Sequence, residues 1–335
     1  VKLFLVKKKV EMKQRLLKIL ENFKNKKILV VGDIMLDKYI WGDVSRISPE
    51  APVQVVHVSR ETYAPGGASN VASNVSALNG TAFMAGIAGN DEAKNILFQE
   101  LKTMGINTDG IFTENDKPTT QKVRIVGRSQ QLLRVDYEKK EHVHKDIEAS
   151  LINFLKKNIP CVDVVVISDY AKGVITPMLC DALIRASKEH NKPVIVDPKP
   201  KHLNLYSNAT LITPNNAEAS EMADIEDGSD EATLEIGNKL LKYLNANVLI
   251  TRGEKGMSLF EKDGKIRHIP AKAREVYSLI GAGDTVVATL ALALASDANL
   301  EEAAVLANIA AGIKVGKIGT ASVSIEEIRN GIGDL

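Results

Sequence analysis

The chain has 335 residues, 43 Lys and Arg against 42 Asp and Glu, and a formal net charge of +1. That length fits one large α/β domain or two modest ones. The charge balance argues against a broad basic nucleic-acid surface, while leaving room for a local basic patch facing a phosphorylated small molecule. The two cysteines, Cys161 and Cys180, form no C-x-x-C pair. They point to reduced thiols in a cytoplasmic protein rather than a zinc cluster or disulfide framework.

The run Leu3–Val6 is too short for a signal-peptide core, which needs about 7–15 apolar residues. No stretch approaches the roughly 18 apolar residues of a membrane span. Met12, Leu16, Leu17, Leu20 and Phe23 recur at helical spacing. They predict a helical extension over residues 1–25, frayed over its first nine.

From residue 26 to 335 the pattern is that of an α/β domain. Lys27–Asp33 is an apolar run ending in Gly-Asp, and similar runs follow at Val162–Ser168, Pro193–Asp197, Thr210–Thr213 and Asn247–Thr251. Helical stretches at Asp146–Lys157, Thr176–His190 and Thr233–Leu244 lie among them. Continuous apolar strands alternating with helices predict a mostly parallel sheet covered on both faces. Ligands of such sheets bind beyond the carboxyl ends of the strands, which marks Asp33, Asp169, Asp197, Asn215 and Thr251 as candidates. Val53–Val58 and the hairpin pattern of Lys122–Val126 and Leu132–Tyr137 predict a small separate β-sheet. We read it as a lid inserted at about 38–60 and 119–138.

Four short runs carry chemistry. Gly281-Ala282-Gly283-Asp284 opens a long apolar helix, where free N–H groups and the positive dipole end favour an anion. Asp284 serves there either as a helix-stabilising charge or as a base beside an anion hole. Pro65-Gly66-Gly67 leads into a small-residue helix bearing Asn70, which suits a structural turn or a close backbone approach to a ligand. Asn215-x-x-Glu218 fits an N-cap with an acidic first turn, or an oxygen donor that orders water around Mg²⁺. Thr251-x-Gly253 with Gly256 fits a hairpin turn or a loop that hugs phosphates. No Gly-x-Gly-x-x-Gly follows the first strand, which disfavours a dinucleotide-binding dehydrogenase.

In this order and spacing the four runs resemble the ribokinase-like (PfkB) sugar kinases, from about Lys26 to the C-terminus. The segments Gly32–Asp37, Trp41–Val53 and Ser168–Gly173 narrow the resemblance to the D-glycero-D-manno-heptose 7-phosphate kinases of ADP-heptose synthesis, a route to the lipopolysaccharide core. The resemblance implies a three-layer ribokinase-like fold with Asp284 as the base that deprotonates O1. It assigns the backbone of Gly281, Ala282 and Gly283 to the anion hole. Asn215 and Glu218 would organise Mg²⁺ and ATP, with Glu218 reaching the metal through water. Thr251, Gly253, Gly256 and Asn308 would border the nucleotide, and Asp37, Gly66, Gly67 and Asn70 the sugar. The substrate phosphate requires cations. Arg124 and Arg134 on the lid, with Lys172, Lys199 and Lys201 at strand ends, are candidates, each equally readable as a solvated surface charge.

The resemblance further implies a homodimer through the lids, and a separate chain is expected to supply the adenylyl transfer. One departure bears on the site. Where the family carries Asp, then an apolar residue or Thr, then Thr or Ser before Gly-Ala-Gly-Asp, this chain has Ser278, Leu279 and Ile280. Family members place a monovalent cation beside that Asp, so cation dependence stays open here. The alternatives are a kinase of another sugar phosphate, such as fructose 1-phosphate or tagatose 6-phosphate, and a non-catalytic sugar-phosphate sensor.

Overall fold

The computed structural model describes residues 2–127, 130–271, 275–317 and 321–335. In chain order, α1 (Lys2–Glu21) leads to β1 (Lys27–Gly32), the long strands β2 (Ile34–Ile47) and β3 (Gln54–Gly67), and α2 (Ala68–Ala77). Next come β4 (Thr81–Gly89), α3 (Glu92–Thr103), β5 (Asn107–Glu114), β6 (Gln121–Gly127) and β7 (Gln130–Tyr137). The middle of the chain holds α4 (Lys145–Asn158), β8 (Val164–Ser168), α5 (Pro177–Glu189), β9 (Val194–Asp197), β10 (Leu211–Ile212) and α6 (Asn216–Ala223). It closes with α7 (Asp230–Leu244), β11 (Asn247–Thr251), β12 (Met257–Phe260), β13 (Ile266–Ile269), α8 (Ala282–Ala295), α9 (Leu300–Val315) and α10 (Ile325–Gly333).

The main sheet runs in the order β13-β12-β11-β10-β9-β8-β1-β4-β5. All its pairings are parallel except β11 with β12 and β12 with β13. Strands β1 and β8 are apolar without alternation because helices cover both faces. One core cluster joins α1, α2, α8, α9 and α10 to one face, and the other joins α4, α5, α6 and α7 to the opposite face. Helix α8 is apolar all round, as a fully covered helix must be.

Two elements differ from the sequence reading. Helix α1 runs continuously from Lys2, and Leu16, Ile19, Leu20 and Phe23 are wholly buried, so the leading helix is built into the core. The lid is larger than expected. Strands β3-β2-β6-β7 form a four-stranded sheet, in which β2 pairs antiparallel with β3 from Ile34–Gly67 to Ile47–Gln54. The roots of β2 and β3 are buried and their far ends exposed, so each strand starts in the core and leaves it. The hydrophobic pattern marks only the outer part as separate.

Candidate active site

The loop after β8, the root of the lid, the start of α2 and the N-terminus of α8 converge on one cavity of about 170 Å³. Gly281 caps α8 in the left-handed region, at φ 73°. A Cβ there would stand 2.8 Å from Asn70 Nδ2, so glycine satisfies both backbone and contact. Among the described residues, the N–H groups of Gly283 and Asp284 meet no acceptor, as expected in a first helical turn. Open space surrounds the Gly283 Cα.

Asp284 is buried on this first turn. Its Oδ2 accepts from Asn70 Nδ2 at 2.5 Å and its Oδ1 from the Tyr170 hydroxyl at 2.8 Å. Burial pushes the carboxyl above its ordinary value, and the two hydrogen bonds oppose that rise. Thr285 donates to Asn74 Oδ1 at 3.0 Å, and Asn74 Nδ2 donates to the Asn70 carbonyl at 2.8 Å. Helices α2 and α8 are thus locked at the point where Asn70 meets Asp284. Tyr170 lies in the Ser168–Gly173 segment noticed in the sequence. It was not singled out, because a tyrosine two residues past a strand carries no signal by itself.

Asp37, Gly67, Asn70, Gly281 and Asp284 all line the cavity, together with Arg124 from the lid. Gly66 stands across from Met35 at the lid root, and a Cβ on it would meet Asp37 Oδ2 at 2.7 Å. Gly67, at φ 55°, lets the chain turn from β3 into α2, and a Cβ there would strike the Asp33 carbonyl. Arg124 Nη1 donates to Asp37 Oδ1 at 2.6 Å, and both residues are buried.

Two further cations of the cavity were not singled out in the sequence, Lys122 and Lys314. Lys122 shares a face of β6 with Arg124 by the two-residue strand period, which is the signal that could have found it. It sits 5.6 Å from the centre of the Tyr170 ring and, among the described residues, makes no carboxylate pair. Burial holds its ammonium below the ordinary value; Asp37 opposes this, while Lys172, Arg124 and Arg134 add to it.

The other basic candidates are already engaged. Lys172 pairs with Glu138 and Lys199 with Glu218. Arg134 lies opposite Arg124 in the lid, but it is half-exposed and pairs with Asp136 at 2.8 Å. Lys201 is exposed and outside the cavity lining. Two strand-end acids are likewise committed. Asp33 accepts from the N–H groups of Tyr170, Lys172 and Val174, which pins the loop after β8 to the end of β1. Asp169 accepts from Ala171 N–H, from His202 Nδ1 at 2.6 Å and from the Tyr206 hydroxyl at 2.7 Å. Burial, with Asp284 and Glu218 nearby, pushes the Asp197 carboxyl well above its ordinary value.

The remaining motifs meet beside this cavity. Asn215 caps α6 by accepting from Glu218 N–H at 2.9 Å, and Glu218 Oε2 accepts from Asn215 N–H at 3.1 Å. The capping reading of that motif is therefore realised. A parallel bridge joins Asn215 to Thr251, and Thr251 N–H donates to the Pro214 carbonyl, so the two motifs are adjacent. The turn after β11 is the expected hairpin into β12. Gly253 and Gly256 have positive φ, and open space surrounds the Gly253 Cα. Asn308 on α9 donates to the Pro270 carbonyl at 2.9 Å. Lys199 Nζ lies 5.6 Å from the centre of the Tyr170 ring, so a line of contacts runs from Glu218 through Lys199 and Tyr170 to Asp284.

A large, mostly parallel sheet with a small β lid and an acid on a glycine-led helix N-terminus defines the ribokinase-like class of phosphotransferases. Solved structures of that fold superpose on nearly the whole chain. Phosphofructokinase-2 from Escherichia coli in complex with potassium aligns at TM-score 0.75 and 19% identity, covering 93% of this chain and 99% of that one. Arabidopsis thaliana ribokinase complexed with ribose and ATP aligns at TM-score 0.72 and 20% identity, covering 92% and 99%.

The chain belongs to the pfkB family of carbohydrate kinases, whose model matches residues 25–328. It is a sugar kinase, transferring a phosphoryl group to an alcohol acceptor. Similar proteins include the bifunctional protein HldE of Desulfatibacillum aliphaticivorans, 43% identical over 93% of this chain and 64% of that protein. Those of Geobacter metallireducens, at 44% over 91% and 62%, and Wolinella succinogenes, at 45% over 90% and 63%, bear the same name. The chain spans less than two thirds of the length of these relatives. Among the described residues no helix is long and apolar enough to cross a membrane.

Proposed function

We propose that the chain uses ATP to phosphorylate D-glycero-D-manno-heptose 7-phosphate at O1, giving heptose 1,7-bisphosphate in the cytoplasm for ADP-heptose synthesis. The observation that carries this reading is the buried Asp284, held by Asn70 and Tyr170 beside free helix N–H groups, in a cavity that also presents Lys122 and Arg124. The likeness to proteins named HldE supports the choice of sugar. A separate activity is proposed for the adenylyl transfer that follows.

Asp284 takes the proton of the O1 hydroxyl as that oxygen bonds to the γ-phosphorus. The bond between γ-phosphorus and the bridging oxygen breaks, and ADP leaves with the electron pair. Charge growing on the transferred group is met by the N–H groups of Gly283 and Asp284 at the dipole end of α8. Asp37 and Asn70 orient the sugar hydroxyls, with Gly66 and Gly67 allowing close approach. Lys122 and Arg124 hold the distal phosphate.

The residues present fit ATP and Mg²⁺. The Gly253 turn is open on its outer side, and Asn215, Glu218 and Thr251 gather oxygen donors next to it. Asn215, Thr251, Gly253, Gly256 and Asn308 would hold the nucleotide, and Glu218 would hold Mg²⁺ through water. When bound, Mg²⁺ supplies charge neutralisation on the phosphates.

A coupled ADP-release assay over a panel of sugar phosphates tests the substrate. Turnover is expected with heptose 7-phosphate. Turnover of fructose 1-phosphate or tagatose 6-phosphate, with none on the heptose, would reassign the sugar.

A further inference from the structure

Lys314 is a cation that no motif announces. It lies on the last turn of α9, is 2% exposed, and its Nζ donates to the Ala321 carbonyl at 2.9 Å. Its side chain reaches the cavity that holds Asp284, and its Cε lies 3.5 Å from where a Cβ on Gly281 would stand. The segment leading into Gly281 is tied to the same place. The N–H groups of Tyr277 and Ser278 both donate to the Val315 carbonyl, at 2.8 and 3.2 Å. The loop that opens α8 and the end of α9 therefore share one junction, with a lysine side chain inside it. Burial holds the ammonium below its ordinary value and Lys317 adds to that, while Asp284 opposes it, which fits a cation close to the reacting end of the site.

The resemblance to ribokinase-like enzymes implies a monovalent cation beside this anion hole, and the residues present do not fit one. The three side chains before Gly281 are a hydroxyl and two aliphatics, and the Ser278 hydroxyl already accepts from Ile280 N–H at 3.3 Å. Leu279 is exposed, and Ile280 brings only an aliphatic side chain to the cavity lining. None of these three side chains carries a carboxylate to balance an added positive charge, and Lys314 would repel one.

We propose that Lys314 is a catalytic residue of the phosphoryl transfer: its ammonium contacts the transferring group beside Gly281 and replaces a diffusible monovalent cation, so that the enzyme is indifferent to potassium. The proposal rests on the kinase reading of the site. A covalently held charge needs no binding equilibrium and is already oriented when substrate arrives.

The test compares the protein in potassium and in tetramethylammonium salts at equal ionic strength, by sugar-phosphate turnover, by melting temperature and by calorimetric binding of a non-hydrolysable ATP analogue. All three are expected to be the same in both salts. Lys314→Met is expected to lower kcat about 100-fold, the scale of losing one charge-stabilising donor, with little change in KM for the sugar phosphate. Lys314→Arg should keep part of the rate. Lys314→Met should also weaken the ATP analogue in calorimetry. Potassium-stimulated turnover, a potassium-specific rise in melting temperature, or a Lys314→Met protein with wild-type rate and analogue affinity would each overturn the proposal. If no sugar phosphate is turned over, the substrate reading fails by itself. The melting and calorimetric arms then still decide on Lys314, since neither requires a sugar.

Discussion

Asp284 accepts hydrogen bonds from Asn70 and Tyr170, yet burial still lifts its carboxyl above the ordinary range. A base works deprotonated, so kcat/KM should fall as pH drops through that raised value, an acid limb displaced upward from about pH 4. Asp284→Asn is expected to lower kcat about 10²–10⁴-fold. The same residue predicts a stability signature. A folded-state value above the unfolded one means that the native state binds the proton more tightly. That favours folding below the unfolded value, and the benefit is lost as pH rises through the folded one. Scanning calorimetry across a pH series should therefore show the Asn variant gaining on wild type as pH rises through that window; a constant gap would mean the carboxyl is not raised. Lys122 makes a separate prediction. A charged hydrogen bond to the distal phosphate is worth about 1.5–3 kcal/mol. Lys122→Met should thus raise KM for the sugar phosphate roughly 10- to 100-fold and leave an unphosphorylated sugar unaffected. Of these residues only Asp284, Asn70, Asp37 and Arg124 were legible in the chain. Tyr170, Lys122 and Lys314 come to the cavity through three-dimensional position, and of the three only Lys122, two residues before Arg124 on β6, carries a signal in the sequence.

At the scale of elements, the start of α8 was readable because three small residues precede a helix with no polar face, a combination a surface helix does not need. Gly281→Ala tests how far the turn matters. A left-handed alanine costs about 1–2 kcal/mol, and its Cβ would push Asn70 away from Asp284. The expected result is a loss of kcat larger than any change in KM for ATP, measured by steady-state kinetics. Asn215-x-x-Glu218 shows the limit of reading an element from sequence. The capping box exists in the structure, and Asn215 also bridges to Thr251, so the motif satisfies the helix and joins the neighbouring Thr251 turn at once. Asn215→Ala should lower stability by about 1 kcal/mol through the cap. A matched cap variant at Ser229, which lies on α7, should cost about the same without changing KM for ATP. Strands β12 and β13 went unnamed in the sequence apart from the hairpin turn that leads into the first of them.

Across the whole molecule, the parallel core and the lid were visible as two kinds of apolar pattern, continuous runs against short alternating ones. What the pattern could not show is how the lid ends. Ile47, Val53, Val58, Leu133 and Tyr137 are all more than half exposed, and all lie on or beside the lid strands. Strands β3 and β7 are also the open edges of that sheet. A monomer gains nothing from an apolar sheet face in water, and unpaired edges invite pairing. A second copy of the chain would cover both, provided the contact reaches the roughly 1,200–2,000 Å² of a stable interface. Light scattering after gel filtration should then give twice the chain mass, and a Val58→Lys, Leu133→Lys double variant should give the single mass. The lid root carries Asp37, Lys122 and Arg124, so releasing its outer half should loosen the sugar side of the cavity. The monomeric variant is accordingly expected to show a higher KM for sugar phosphate with KM for ATP unchanged. A wild type that runs as a monomer, or a monomeric variant with an unaltered sugar KM, would separate the lid from assembly and leave it a rigid wall of the cavity.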